Sequence, residues 1–154
     1  KSSAASDVYK RQITSFAMEV VQMILIVCID DRNGMAFNHR RQSRDRVLAD
    51  RIASLTMGKK LWIEPYSQKL FSGGNAVVSD DYLTAAGTDD YCFVERDDVT
   101  PYEDKIRKII VFRWNRVYPS DLRFGIDLTA WQLVYFEEFP GSSHEKITME
   151  VYER

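Results

Sequence analysis

Short apolar runs separated by polar loops form the dominant pattern of this chain. Five continuous runs rich in aliphatic and aromatic residues occupy positions 23–29, 61–63, 76–78, 91–94 and 109–114. Runs of this length predict strands that are buried on both faces, as in a parallel sheet. A polar loop from Asp30 to Gln42 is expected after the first of them.

Helical segments are predicted between these strands. Ser43 is a candidate N-cap for a helix that carries Asp45 in its first turn. The apolar residues of that helix fall on one face, at Val47, Leu48, Ile52 and Leu55. Residues 79–81 and 100–103 start two further short helices. Strands that alternate with helices predict an α/β fold.

The C-terminal part changes from continuous runs to strict alternation. Apolar and polar positions alternate at Ile147, Met149 and Val151 against Lys146, Thr148 and Glu150. This period of two predicts a half-buried antiparallel strand. Residues 131–137 form its predicted partner, and residues 139–143 connect the two as a turn. The sequence therefore predicts a mostly parallel sheet with a C-terminal antiparallel hairpin.

The composition fits one globular domain. The chain has 154 residues, is 45% hydrophobic and 29% charged, and has a net charge of −2. A near-neutral total argues against a general polyanion binder. Cys28 and Cys92 are predicted to be buried thiols, although one disulfide is possible. A reducing, cytoplasmic setting is expected.

The N-terminal residues differ in character from the rest. Residues 1–12 resemble a translated sequencing-adapter artefact of metagenome-derived chains, and residues 1–22 are interpreted as a non-native leader. A single domain is then expected over residues 23–154. The apolar stretch from Phe16 to Ile29 contains Glu19 and is too short to span a bilayer, so neither a membrane helix nor a signal peptide is predicted.

An ordered set of segments resembles the dihydrofolate reductase family. The segments that carry the resemblance are 23–35, 108–115, 121–124, 131–135, 143–144 and 149–154. The resemblance implies a three-layer α/β sandwich. It also implies that Asp45 is the carboxylate that binds a pterin ring and supports its protonation, and that Met35 lies in the active-site loop.

The segments that bind NADPH in that family are altered here. The first reads Glu64-Pro65-Tyr66-Ser67, where only Ser67 keeps a hydroxyl. The second, a glycine run in the family, reads Glu95-Arg96-Asp97-Asp98. Carboxylates at this point repel a pyrophosphate, whereas glycines let backbone N–H groups approach it. The sequence therefore predicts no cofactor and no ordinary folate reduction. An NADPH-dependent reductase of a pterin-like substrate is the alternative.

A basic segment beside the predicted pocket suggests another function. From Asn38 to Lys60 there are seven basic residues and only two aspartates. Arginine side chains at a helix N-terminus suit phosphate or carboxylate ligands. We therefore predict that the domain binds a small anionic ligand or a protein partner. The predicted ligand-binding residues are Met35, Asn38, Arg40, Arg41, Gln42, Arg44 and Ser67. The alternative is a solvated basic face with Arg–Asp pairs.

A third hypothesis is an RNA-acting protein. The chain resembles short bacterial proteins that are sometimes labelled ribonuclease Z, through Gly34-Met35, the Asn38–Ser43 segment and the stretch 139–148. Ribonuclease Z holds two zinc ions in a His-x-His-x-Asp-His motif, which two separated histidines cannot supply. Aromatic residues that would stack bases are also scarce in the basic segment. No metal site is predicted, and nucleic acid is the least favoured partner.

Overall fold

The computed structural model describes residues 20–154, which contain a seven-stranded sheet and a small three-stranded sheet. The strands of the described part are β1 Met23–Ile29, β2 Gly34–Phe37, β3 Arg40–Arg41, β4 Leu61–Ile63, β5 Ala76–Val78, β6 Tyr91–Val94, β7 Ile106–Arg113, β8 Leu122–Arg123, β9 Gln132–Phe139 and β10 Ile147–Glu153. Its α-helices are α1 Arg46–Leu55 and α2 Tyr82–Ala85. Short 3₁₀ segments cover Pro65–Leu70, Thr100–Lys105 and Leu128–Ala130.

The large sheet has the order β5-β4-β6-β1-β7-β10-β9. β1 lies at its centre and pairs in parallel with β6 and β7. β10 runs antiparallel to both β7 and β9. The predicted mostly parallel sheet with a C-terminal antiparallel hairpin is therefore confirmed.

Both faces of β1 are buried, as its continuous apolar run predicts. Leu25 and Val27 face a core that includes Tyr82 of α2. Ile24 and Ile26 face the opposite core, where they meet the apolar side of α1 at Leu48 and Ile52. Since side chains alternate along a strand, one run supplies both cores. The result is a three-layer α/β sandwich.

The segment predicted as a polar loop folds partly as a hairpin. β2 and β3 pair antiparallel, with Phe37 opposite Arg40. The two residues between them, Asn38 and His39, have φ angles of 50° and 59°. Positive φ at both central residues is the geometry of a type I′ turn, which matches the twist of paired strands. The loop prediction was wrong here because the usual Asn-Gly signal is absent.

Strand burial also depends on position in the sheet. The run 76–78 was predicted to be buried on both faces, but β5 is the outermost strand and Val78 is exposed. At the other edge, β9 exposes Leu133, Val134, Tyr135 and Phe136 by about half each. Each edge strand has one neighbour instead of two, so less of its apolar surface is covered.

Most of the predicted leader lies outside the described residues. Residues 20–22 are described, and they join the fold: Val21 packs against the core, and the Gln22 carbonyl accepts a hydrogen bond of 3.0 Å from the Asp89 backbone N–H. Cys28 and Cys92 are both free, and Cys92 is fully buried. Across residues 20–154, no helix combines the length and the apolar character that crossing a membrane requires.

Candidate functional site

Asp45 is the N-cap of α1. Its backbone is extended, and its Oδ1 accepts a hydrogen bond of 3.2 Å from the Leu48 backbone N–H. Ser43 was predicted to occupy this position, but it lies two residues before the helix-capping residue. A carboxylate at the N-cap satisfies a free N–H group and also complements the positive end of the helix dipole. The hydroxyl of Ser43 is therefore left for other contacts.

The turn between β9 and β10 closes over Asp45. The backbone N–H groups of Ser142 and Ser143 donate to its Oδ1 and Oδ2 at 3.0 and 2.8 Å. His144 places Nδ1 3.0 Å from Oδ2. Burial opposes ionisation of Asp45, but these hydrogen bonds outweigh it and hold the pKa of the carboxyl well below its usual value. Asp45 is thus ionised and its oxygens are saturated with donors.

The imidazole of His144 links Asp45 to two hydroxyl groups. Its Nε2 lies 3.1 Å from Ser43 Oγ and 2.8 Å from Tyr118 Oη. The ring stacks on Trp114 at 4.5 Å between centroids and is almost fully buried. Because Nδ1 faces a carboxylate, the hydrogen-bond network assigns the proton of a neutral ring to Nδ1. Nε2 is then an acceptor for one of the two hydroxyls at a time.

A small cavity opens beside this arrangement. It lies between β1, α1 and the end of the 3₁₀ segment Pro65–Leu70. Its volume of about 20 Å³ is close to the space of one water molecule. Its lining combines apolar core residues with a few polar groups. The lining residues used below are Cys28, Ser43, Arg44, Leu48, Phe93 and Trp114.

A second, wider depression lies along the β2–β3 hairpin, and we call it the hairpin groove. It has a volume of about 590 Å³ and is lined by Phe37, Asn38, Arg40, Arg41, Gln42, Tyr118 and Pro119. These lining residues include two arginines and no carboxylate. The structure thus brings together four of the predicted ligand-binding residues on one surface. Arg40 is exposed.

Arg41 also belongs to a partly buried ionic cluster, which we call the Tyr66 cluster: Arg41, Glu64, Tyr66, Glu95 and Arg96. Arg41 donates to both oxygens of Glu95, at 2.8 and 3.0 Å. Arg96 donates to Glu64 at 2.6 Å. Both guanidinium groups stack on the Tyr66 ring, at 4.3 and 3.8 Å from its centroid. Glu95, one of the carboxylates predicted to repel a pyrophosphate, is therefore neutralised within the protein, and so is Glu64.

The remaining predicted ligand residues lie apart from the hairpin groove. Ser67 is fully buried and donates to Glu95 Oε1 at 2.7 Å. Met35 is buried in the core that contains Leu25 and Val27. Arg44 is exposed just before α1, where it lines the small cavity and, with Arg46 and Lys69, a further depression of about 580 Å³.

Gln42 joins the hairpin to a buried aspartate. Its Nε2 donates to Asp30 Oδ2 at 2.9 Å and to the Pro119 carbonyl at 3.3 Å. Its Oε1 is buried without a hydrogen-bond partner within the described structure. Burial opposes ionisation of Asp30, but hydrogen bonds from backbone groups such as those of Tyr118 and Gly34 lower its pKa. Gln42 thus carries one unsatisfied acceptor inside the protein.

The contribution of His144, Tyr118 and Ser43 was missed by sequence reasoning. The histidines were considered only as possible zinc ligands, and nothing local connects His144 to Asp45, 99 residues earlier. The signal available was the Pro-Gly-Ser-Ser turn before it, which supplies free N–H groups and hydroxyls. Throughout residues 20–154, no three His, Cys, Asp or Glu side chains are grouped so that they could hold a metal ion.

Comparisons with known proteins identify the architecture. No protein-family model matches the chain, and no curated protein matches it either. Among solved structures, it is similar to the dihydrofolate reductase from Enterococcus faecalis complexed with NADP(H) and RAB-propyl, with a TM-score of 0.63 and 11% identity. The match covers 86% of this chain and 96% of the other. The chain therefore has the dihydrofolate reductase fold.

Proposed function

We propose that this reductase-like domain does not reduce folate and that it binds a small organic anion in the hairpin groove. The observation that carries the proposal is Arg40, an exposed guanidinium in a groove whose lining includes no carboxylate. Arginine presents a planar set of donors that matches carboxylate or phosphate oxygens.

The other lining groups favour a ligand with a flat apolar part. Phe37 is 42% exposed, and Tyr118 supplies a second aromatic side chain. The amide of Asn38 adds a polar contact that can fix its orientation. A few polar groups among aromatic ones are typical of small-molecule sites. An aromatic carboxylate fits this combination best.

Two segments correspond, by resemblance, to those that bind NADPH in the dihydrofolate reductase family. Their residues do not fit the pyrophosphate of that cofactor. Glu64 and Glu95 are buried there, and their charges are already balanced by Arg96 and Arg41. A pyrophosphate would have to displace these ion pairs and then lie next to two carboxylates. Displacing an arginine would leave its largely buried carboxylate without a partner, which opposes binding. This supports a domain that works without NADPH.

The state of Asp45 also supports a function other than pterin reduction. A proton-handling carboxylate must present an oxygen to the substrate and exchange a proton with it. The oxygens of Asp45 are occupied by Leu48, Ser142, Ser143 and His144. The adjoining cavity, about 20 Å³, has no room for a pterin ring.

The test is a thermal-shift and calorimetric titration with benzoate, inorganic phosphate, folate and NADPH. We expect benzoate to stabilise the protein and Arg40→Ala to weaken its binding at least tenfold. A ligand at about 100 times its Kd stabilises by about 2.7 kcal/mol, which a melting experiment detects. Arg32→Ala is the matched control, since Arg32 is also exposed but does not line the groove.

Equal binding of benzoate to wild type and Arg40→Ala would contradict the proposed site. Failure of benzoate and phosphate to bind wild type at millimolar concentration would contradict the proposed ligand class. Stabilisation by NADPH together with NADPH oxidation in the presence of folate or a pterin would restore the reductase alternative.

A further inference from the structure

We infer that Ser43 is a nucleophile activated by His144 and Asp45, and that the domain hydrolyses a small ester. The side chains that meet are a serine, a histidine and an aspartate. Each ring nitrogen of the histidine faces a different partner: Nδ1 is 3.0 Å from Asp45 Oδ2, and Nε2 is 3.1 Å from Ser43 Oγ. This connectivity is the one that Ser-His-Asp hydrolases use on unrelated folds.

The roles follow from the hydrogen bonds. Asp45 is held ionised by donors on both of its oxygens, so it fixes the Nδ1–H tautomer of His144 and stabilises the ring when it becomes charged. The stacking of Trp114 on His144 restricts rotation of the ring. Nε2 is therefore positioned to accept the proton of the Ser43 hydroxyl. In this arrangement Asp45 is a positioning residue, since it reaches the substrate only through His144.

Ser43 is the serine that faces the basic nitrogen. Ser142 and Ser143 contact the carboxylate instead, and Ser143 Oγ lies 3.2 Å from Nδ1. Tyr118 Oη shares Nε2 with Ser43 and lies 3.4 Å from its Oγ, close enough to donate to it. Nε2 has one lone pair and the tyrosine has one hydroxyl proton, so Ser43 donates to His144 when Tyr118 donates to Ser43 Oγ instead of to Nε2.

The surroundings of Ser43 fit a short acyl group. Ser43 is half-buried and lines the small cavity with Leu48 and Phe93, whose side chains are apolar. Arg44, the next residue in the chain, lines the same cavity and is the cation available there. A cation close to the reacting carbonyl stabilises the negative charge that develops on its oxygen. A volume of about 20 Å³ excludes long acyl chains.

The reaction balances with water as the second substrate. Ser43 Oγ attacks the ester carbonyl carbon, its proton moves to His144 Nε2, and the C–O bond to the alcohol breaks as that proton passes to the leaving oxygen. Water then attacks the acyl-serine with His144 as the base, which releases the acid and restores the serine hydroxyl. The net change is ester plus water to acid plus alcohol.

The experiment uses the full chain with two probes, a fluorophosphonate and p-nitrophenyl acetate. Attack on the fluorophosphonate forms an Oγ–P bond and releases fluoride, so intact-mass spectrometry and peptide mapping locate the adduct. We expect stoichiometric labelling at Ser43 and release of p-nitrophenol. Ser43→Ala should abolish labelling, and His144→Gln should slow it about 100-fold or more, the range of general-base catalysis.

Two controls keep the result interpretable. Ser54→Ala removes an exposed serine on α1 and should leave both rates unchanged. Circular dichroism checks that His144→Gln is folded. Labelling that persists in Ser43→Ala, an adduct on Ser142, Ser143 or Tyr118, or no labelling of the wild type would each overturn the inference.

Discussion

Asp45 and His144 meet in the interior at 3.0 Å, although 99 residues separate them along the chain. Asp45 precedes α1, and His144 follows the turn that connects β9 to β10. The pair therefore ties the first helix to the C-terminal hairpin. Backbone N–H groups donate to the carboxylate of Asp45, whereas Nε2 of His144 faces the hydroxyls of Ser43 and Tyr118.

The first prediction concerns the contribution of Asp45 to stability. Asp45→Asn keeps the shape but replaces one acceptor oxygen with an NH₂ group, which faces either the N–H groups of Leu48 and Ser142 or those of Ser143 and His144. Leaving buried donors without acceptors costs about 1–3 kcal/mol, and loss of the charge on the pair adds to it. We expect the free energy of unfolding to fall by about 3 kcal/mol.

Urea unfolding measures this change. Asp50→Asn is the matched control, because Asp50 is an exposed aspartate on the same helix. Such surface changes usually stay within about 0.5 kcal/mol. Equal losses in the two variants would show that the Asp45 network contributes nothing specific.

The second prediction is the pH dependence of stability. The folded-state pKa values of Asp30 and Asp45 lie below their unfolded values. Their contribution is therefore fully present above the unfolded aspartate pKa of about 3.9 and is lost as the pH falls through the lower folded values. We expect the urea midpoint to decline steadily from about pH 5 to pH 3. Asp45→Asn should decline less steeply, and an identical slope in both proteins would be inconsistent with this assignment.

The third prediction concerns the close approach of Gly141 to Asp45. A Cβ at position 141 would overlap Asp45 Oδ2 and lie 2.9 Å from Ile147 Cδ1. Gly141→Ala must therefore displace the turn that covers Asp45. Overpacking of this kind costs about 1–3 kcal/mol, or a fall in Tm of roughly 3–10 °C for a domain of this size. Gly73→Ala is the control, since nothing lies within 4 Å of a Cβ there. A Tm for Gly141→Ala equal to that of the control would refute the prediction.

The fourth prediction tests stacking in the Tyr66 cluster. Tyr66→Phe keeps the ring between the two guanidinium groups and loses only the acceptor of the 3.0 Å hydrogen bond from the Arg41 backbone N–H. We expect a loss of about 1 kcal/mol. Tyr66→Leu also removes both cation–π contacts and should cost about 1–2 kcal/mol more. Chemical denaturation of the two variants makes the comparison, and equal losses would mean that stacking does not stabilise the cluster.

The sequence alone predicted the main strands of the sheet, because the apolar patterns that indicate them are local. Continuous apolar runs identified β1, β4 and β6, and the alternation around Met149 identified β10. The basic character of the segment after Asn38 was also readable, since charge is a property of composition. The hairpin within it was not, because positive φ at Asn38 and His39 has no strong sequence signal without glycine.

Contacts between the predicted site residues follow from the tertiary structure and could not be predicted from the sequence. Arg41 and Arg40 are neighbours in sequence, yet one is held by Glu95 and the other lies open in the hairpin groove. Likewise, Asp45 rather than Ser43 caps α1, so the hydroxyl of Ser43 is available to His144. Such contacts depend on how strands and loops distant in the chain pack together. Residue spacing describes only the contacts within one element, so it carries no information about them.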